Sequence, residues 1–356
     1  MKFLKFTLFN LLSGFVFLTS AVNASDHKKS LWTIDDLLLN QARPITIGHR
    51  GYGENLGENP NKPLENTIES VSQAFSEGVS IVEVDVVVSS DGHAVALHDD
   101  YFGDLSNYVC VNVLTYDQLK EIFHHVPTLK KVLRTAKKFA RKSETVSGLV
   151  NIEVKTPAPI CDPLDYTEMM LVHSVIDAVN KTQTHEQVII EAVSPALMGM
   201  FMTEAPELKR NYSANALQFM TPSMIEATTG LHVELIDKQA GFGLQWAEVG
   251  PEFGPIFLPV FRLPGYVDLV TGLADINGFI QVAAFTGSQI ITFDKLILQQ
   301  MEATIPGSAQ LLIHSLHQNN FTVTVYTIDN AIEWTWFATL GVDAIYTNEI
   351  SLGLSN

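Results

Sequence analysis

The sequence predicts an α/β fold of parallel β/α units, and three observations carry that prediction. Short apolar runs of strand length alternate with helical patterns along most of the chain. Several of these runs set an apolar face against a polar one, yet helices rather than hairpin turns separate them. The chain is 356 residues long and 46% hydrophobic, enough for one large domain of about 250 residues with additions, or for two smaller ones.

The first element lies outside that fold. Residues 1–24, "MKFLKFTLFNLLSGFVFLTSAVNA", carry Lys2 and Lys5, then an apolar run, then Val22 and Ala24 at the small positions before a cleavage site. This is the pattern of a secretory signal peptide cut after Ala24. A single anchoring helix is the alternative, but the apolar run 6–21 is short for a membrane span. No later segment has an uninterrupted apolar run of span length, so no stable membrane insertion is expected after cleavage. A periplasmic or secreted protein is expected. Residues 25–43 form an N-terminal segment ahead of the first strand.

Candidate strands then follow at 44–49, 80–88, 93–98, 148–155, 186–193, 288–293, 321–327 and 343–347. Helical patterns lie at 66–78, 127–142, 165–181, 308–320 and 329–341. The first of these places Ile68, Val71 and Phe75 on one face and stops at Gly78. Residues 205–287 are rich in Gly, Pro and aromatics and read as an irregular insertion, with one strand hidden near 209–217.

The formal charge of −17 becomes more negative once Lys2 and Lys5 are removed. That argues against nucleic acid or an anionic membrane as a general partner. Export also changes how Cys110 and Cys161 are read. In an oxidising compartment two cysteines suggest a disulfide, with two buried thiols as the alternative.

The chemistry begins in "IVEVDVVV" at 81–88. Side chains alternate across a strand, so Val82, Val84, Val86 and Val88 share one face. Glu83 and Asp85 share the other with Ile81 and Val87. In a β/α barrel the valines would pack on helices and the acids would look inward. The same grammar returns at 150–155, where Asn151, Glu153 and Lys155 oppose Val150, Ile152 and Val154. Three converging carboxylates cannot all stay ionised unaided. Protonation, a hard divalent cation, or a salt-bridged network with Arg50 and Lys155 could relieve them. Two histidines, His49 and His98, end strands, where barrel enzymes place catalytic groups; they suit a general acid and base.

Together, "HRG" (49–51), "ENT" (65–67), "EVD" (83–85), "DG" (91–92), "HD" (98–99) and "EVK" (153–155) resemble the glycerophosphodiester phosphodiesterases in order and approximate spacing. "VTVYTID" (323–329) and "GVDAIYTNE" (341–349) are similar to that family's closing motifs. The resemblance is close over about 44–160 and returns over about 285–350. It implies a TIM (β/α)8 barrel over 44–353, interrupted by the poorly matched stretch 205–287. It implies hydrolysis of a small-molecule glycerophosphodiester to glycerol 3-phosphate and an alcohol, with one divalent cation, Ca2+ or Mg2+. Carried over, Glu83, Asp85 and Glu153 hold the cation and His49 and His98 are the acid/base pair. Arg50 and Lys155 bind the phosphoryl group, and Glu65 supports the site. A lysophospholipase D-like activity and a catalytically idle ligand-binding barrel are the competing readings. The chain departs from the family at several points. Leu64 stands where Pro is common, and the stretch between "HRG" and "ENT" is long. Tyr326 replaces a common Trp, Asp329 a common Asn, and Asn348 a frequent Asp.

Overall fold

The computed structural model describes residues 33–354, apart from 41, 43, 105–106, 143–146, 159, 164–165 and stretches within 217–275. The leader 1–24 lies outside the described residues. Eight strands run parallel: β1 Ile45–Gly48, β2 Ile81–Val88, β3 Leu149–Val154, β4 Val188–Ala192, β5 Lys209–Ala214, β6 Ile290–Asp294, β7 Thr322–Tyr326 and β8 Ala344–Thr347. Each pairs with the next, and β8 pairs with β1, so the sheet closes into a TIM barrel. Residues 31–356 form one compact unit.

The alternation read from the sequence is what builds the layers. Val82, Val84, Val86 and Val88 pack outward with Val71, Ala74, Phe75, Leu129 and Val172 of the surrounding helices. Ile45, Ile47, Ile81, Leu149, Ile189 and Ile290 fill the N-terminal end of the barrel interior. The helix Ile34–Asn40 packs Ile34 and Leu37 into that same cluster, so part of the N-terminal segment belongs to the barrel core. Burying a side chain such as Leu37, fully enclosed here, is worth about 1.5–3 kcal/mol. Among the described residues no helix is long and apolar enough to cross a membrane.

Two expectations need correcting. The run at 93–98 is not a parallel barrel strand. Only Ala94–Ala96 is extended, and it pairs antiparallel with β2, Val86 opposite Ala96 and Val88 opposite Ala94. Gly92, with φ +76°, makes the turn that lets the chain double back. The excursion is also narrower than 205–287. Strand β5 is the strand expected near 209–217, and the helix Ile276–Thr286, which was not expected, also lies inside that range. What remains between them includes a three-stranded antiparallel sheet, Val233–Asp237, Leu244–Val249 and Ile256–Phe261.

Candidate active site

Strand register assembles the acids. Asp85 on β2 lies opposite Glu153 on β3, and Glu83 is two residues back on the same face. Ligand oxygens of the three carboxylates all fall within 4.8 Å of one another. Glu83 and Asp85 are each 1% exposed, which makes their charge costly. The Lys155 ammonium lies 2.7 Å from Asp85 Oδ1 and 2.7 Å from Glu153 Oε1. Burial works against the ionised Asp85, but Lys155, His98 and Arg50 outweigh it and hold that carboxyl well below its usual range. Lys155 and the Arg50 main-chain N–H favour an ionised Glu83 too, but they are outweighed. Burial, then the charges of Asp85 and Glu153, push it well above the usual range.

This difference separates the two readings of the acids. A salt-bridged network serves Asp85 and Glu153 and leaves Glu83 half served. Glu83 Oε2 accepts the Arg50 main-chain N–H at 2.7 Å, but Oε1 is buried with no hydrogen-bond partner. An orphaned carboxylate oxygen facing two more carboxylates, with only oxygen donors in the set, fits a hard divalent cation rather than zinc.

The "HRG" turn follows β1. Arg50 (φ 50°) and Gly51 (φ 92°) are both left-handed, and a Cβ on Gly51 would lie 2.4 Å from Ser70 Oγ. That turn aims the Arg50 guanidinium into the mouth, where Nη1 lies 2.8 Å from Glu65 Oε1 and Nε 3.4 Å from Asp85 Oδ2. Glu65 is itself anchored by the Asn55 main-chain N–H at 3.1 Å. So Glu65 stands behind Arg50 and not among the three clustered acids. Asn66 locks Asp85 from two sides: its Nδ2 donates to Asp85 Oδ2 at 2.8 Å, and its Oδ1 accepts from the Asp85 main-chain N–H at 3.0 Å. This role of the "ENT" asparagine is absent from the sequence reading.

His49 and His98 arrive from different directions. His49 follows β1 directly, while His98 comes back down the hairpin, and the N–H of the preceding Leu97 donates to the main-chain oxygen of Asp85. Both imidazoles are near enough to interact with Asp85 and with each other. Their partners differ. His98 Nδ1 is 2.6 Å from the Asp99 carboxylate, and His49 Nδ1 is 2.8 Å from the Asn348 amide oxygen. Burial and the adjacent Arg50 charge lower the His49 pKa to about 3.

Glu191 on β4 is a fourth buried acid, opposite Glu153 in register. Burial, then Glu153, raises it to about 7. Its Oε2 takes hydrogen bonds from Tyr346 Oη at 2.6 Å, from Asn211 Nδ2 at 3.0 Å and from Asn151 Nδ2. Sequence reasoning missed it because "VIIEA" reads only as a buried strand. Cys110 and Cys161 stand away from the acids. Their disulfide, with Cα atoms 5.5 Å apart, ties the hairpin strand Asn107–Cys110 to the loop after β3.

Fold and site together define a TIM-barrel protein whose C-terminal mouth gathers three carboxylates that could hold a cation, with Arg50, Lys155 and two histidines beside them. The chain belongs to the glycerophosphoryl diester phosphodiesterase family, which matches residues 49–227 and 280–352. It is 38% identical over 77 residues to a glycerophosphocholine phosphodiesterase of Eremothecium gossypii, covering 21% of this chain and 6% of that protein. It is 25% identical over 181 residues to a glycerophosphodiester phosphodiesterase of Caldanaerobacter subterraneus, covering 47% of this chain and 65% of that protein. In structure it is similar to an Oleispira antarctica phosphodiesterase in complex with the product sn-glycerol-3-phosphate. The TM-score is 0.55 at 15% identity, over 88% of this chain and 95% of the other.

Proposed function

We propose that the protein is an exported, metal-dependent phosphodiesterase that cleaves glycerophosphodiesters to glycerol 3-phosphate and an alcohol. One observation carries this most directly: Glu83 Oε1 is unpartnered within a carboxylate trio that lies against Arg50 and Lys155. Family membership supports the substrate class. Glu83, Asp85 and Glu153 would hold one Ca2+ or Mg2+. Such an ion, when bound, offsets charge that builds on a phosphoryl oxygen.

The remaining chemistry belongs to the chain's own groups. Arg50 presents a planar guanidinium, held in place by Glu65 and Asp85, to a non-bridging phosphate oxygen. Lys155 adds a second positive charge at the same point. His49, neutral at pH 7, accepts a proton from the attacking hydroxyl, whether of water or of the substrate's glycerol. His98, with Nδ1 2.6 Å from the Asp99 carboxylate, donates a proton to the leaving alcohol oxygen. When water attacks, one P–O bond forms and one breaks, giving glycerol 3-phosphate directly; when the glycerol hydroxyl attacks, the same step gives a cyclic phosphate, which water then opens with the two histidines in exchanged roles.

The test is a coupled glycerol 3-phosphate assay on glycerophosphocholine, with choline release measured in parallel from it and from a lysophosphatidylcholine, whose cleavage yields no free glycerol 3-phosphate. Activity should require divalent cation, stop with EDTA, return on re-addition and vanish in His49→Ala. Turnover that survives both EDTA and His49→Ala would refute the mechanism, and preference for the lysolipid would move the substrate assignment. Export is checked by the N-terminus of the secreted or periplasmic protein, expected at Ser25.

A further inference from the structure

Asn348 lies just past β8, between two groups that leave its side-chain amide a single orientation. Its Nδ2 is 2.9 Å from Asp329 Oδ2, and its main-chain N–H donates to Asp329 Oδ1 at 2.7 Å. An ionised carboxylate only accepts, so the amide nitrogen must face Asp329. The amide oxygen lies 2.7 Å from the main-chain nitrogen of Glu54, which only donates. Flipping the amide would set N–H against N–H and oxygen against carboxylate. Two independent contacts therefore place the oxygen, and His49 Nδ1 lies 2.8 Å from that same atom. Nδ1 must then carry the proton, and in the neutral ring the lone pair is left on Nε2.

The clamp has a further part. The long loop between "HRG" and "ENT" supplies the Glu54 N–H, and it also sends Lys62 Nζ to the Asn348 main-chain oxygen at 2.9 Å. The loop 52–64 thus contacts Asn348 at both its side chain and its main chain.

We infer that Asp329 and Asn348 form a positioning relay, steadied by the loop 52–64, that holds His49 as the Nδ1–H tautomer with Nε2 free to accept a proton. This rests on His49 being the general base of the proposed reaction. Here the charge sits one residue away from the imidazole and a neutral amide touches it. The amide fixes the tautomer and favours an imidazolium less than a carboxylate in contact would.

The experiment is 15N NMR of the full chain labelled at histidine, with the His49 signals assigned by their loss in His49→Gln. Wild type should show a protonated Nδ1 and an unprotonated Nε2 for His49. Asn348→Ala should release the ring toward the Nε2–H form and lower kcat about 10²-fold. The exchange variant, Asp329→Asn with Asn348→Asp, should keep the Nδ1–H form and move the acidic limb of the kcat/KM profile up by about one pH unit or more. An Nε2–H tautomer in wild type would overturn the relay. So would an Asn348→Ala protein that keeps Nδ1–H, or an exchange variant whose pH profile overlays wild type. The tautomer is read without turnover, so a protein with the expected tautomer and no diesterase activity would count against the functional reading alone.

Discussion

The two halves of the barrel carry different side chains at the same depth. In the first half, the inward positions of β2 and β3 are Glu83, Asp85 and Glu153. In the second half, β5, β6 and β7 offer Asn211, Thr292 and Thr324 instead. The neutral half completes its own hydrogen bonds: Thr292 Oγ1 is 2.9 Å from Asn211 Oδ1 and 2.5 Å from Thr324 Oγ1. The acidic half does not, and Glu83 Oε1 is left over. One scaffold therefore carries two kinds of polar interior. The satisfied one needs no further partner, and the unsatisfied one is where we propose that a cation binds.

Three changes should break this comparison, starting with the largest effect. Glu153→Gln should lower activity on the order of 10²–10³-fold while leaving the fold intact, since it removes like charge from a crowded cluster. Its counterpart in the second half, Thr292→Val, should do the reverse. It strips a partner from Asn211 and Thr324, costing about 1–3 kcal/mol of stability, with kcat per folded molecule nearly unchanged. Paired kinetics and denaturant unfolding would decide, and a Glu153→Gln protein that is unfolded yet fully active when folded would reverse the assignment of roles.

Next is the disulfide, which constrains only the first half. Cys110 and Cys161 are 51 residues apart, and replacing both by Ser should cost about 2–4 kcal/mol. Cation binding should persist under conditions where the variant stays folded. An unchanged Tm would mean the bridge constrains nothing that the packing does not already hold.

The smallest expected effect is a pH dependence. His49 has a pKa of about 3 in the folded state, well below the ordinary imidazole value of about 6.5. The unfolded chain therefore binds the proton first. The stabilisation is fully present above pH ~6.5 and fades as pH falls toward 3. His49 is only half-buried at its surface, so the loss between pH 7 and 5 should be on the order of 1 kcal/mol. His49→Asn should flatten that part of the stability profile. Parallel slopes for the two proteins would show that other groups carry it.

Much of the first half was legible because period-two alternation exposes a face, and three acids on inward faces stand out against valine. The second half was harder to read for physical reasons. Hydroxyls and amides in "FTVTVYT" look like ordinary strand residues, and their partners lie on other strands. Asn348 and Asp329 act on His49 across almost the whole chain length, a contact that no local pattern encodes. The hairpin arm Ala94–Ala96 alternates as a parallel strand would, so its direction was not readable. Residues 205–287 blurred for a different reason: a Gly- and Pro-rich stretch hid a regular barrel strand at one end and a helix at the other.

The central claim is that the acidic half is completed by one hard cation. Calorimetric titration of the metal-stripped protein with Ca2+ and with Mg2+ tests it most directly. One site per chain is predicted for at least one of the two ions, with binding weakened at least tenfold in Glu83→Gln at unchanged fold. No binding of either ion to the folded wild type, or equal binding by Glu83→Gln, would contradict it.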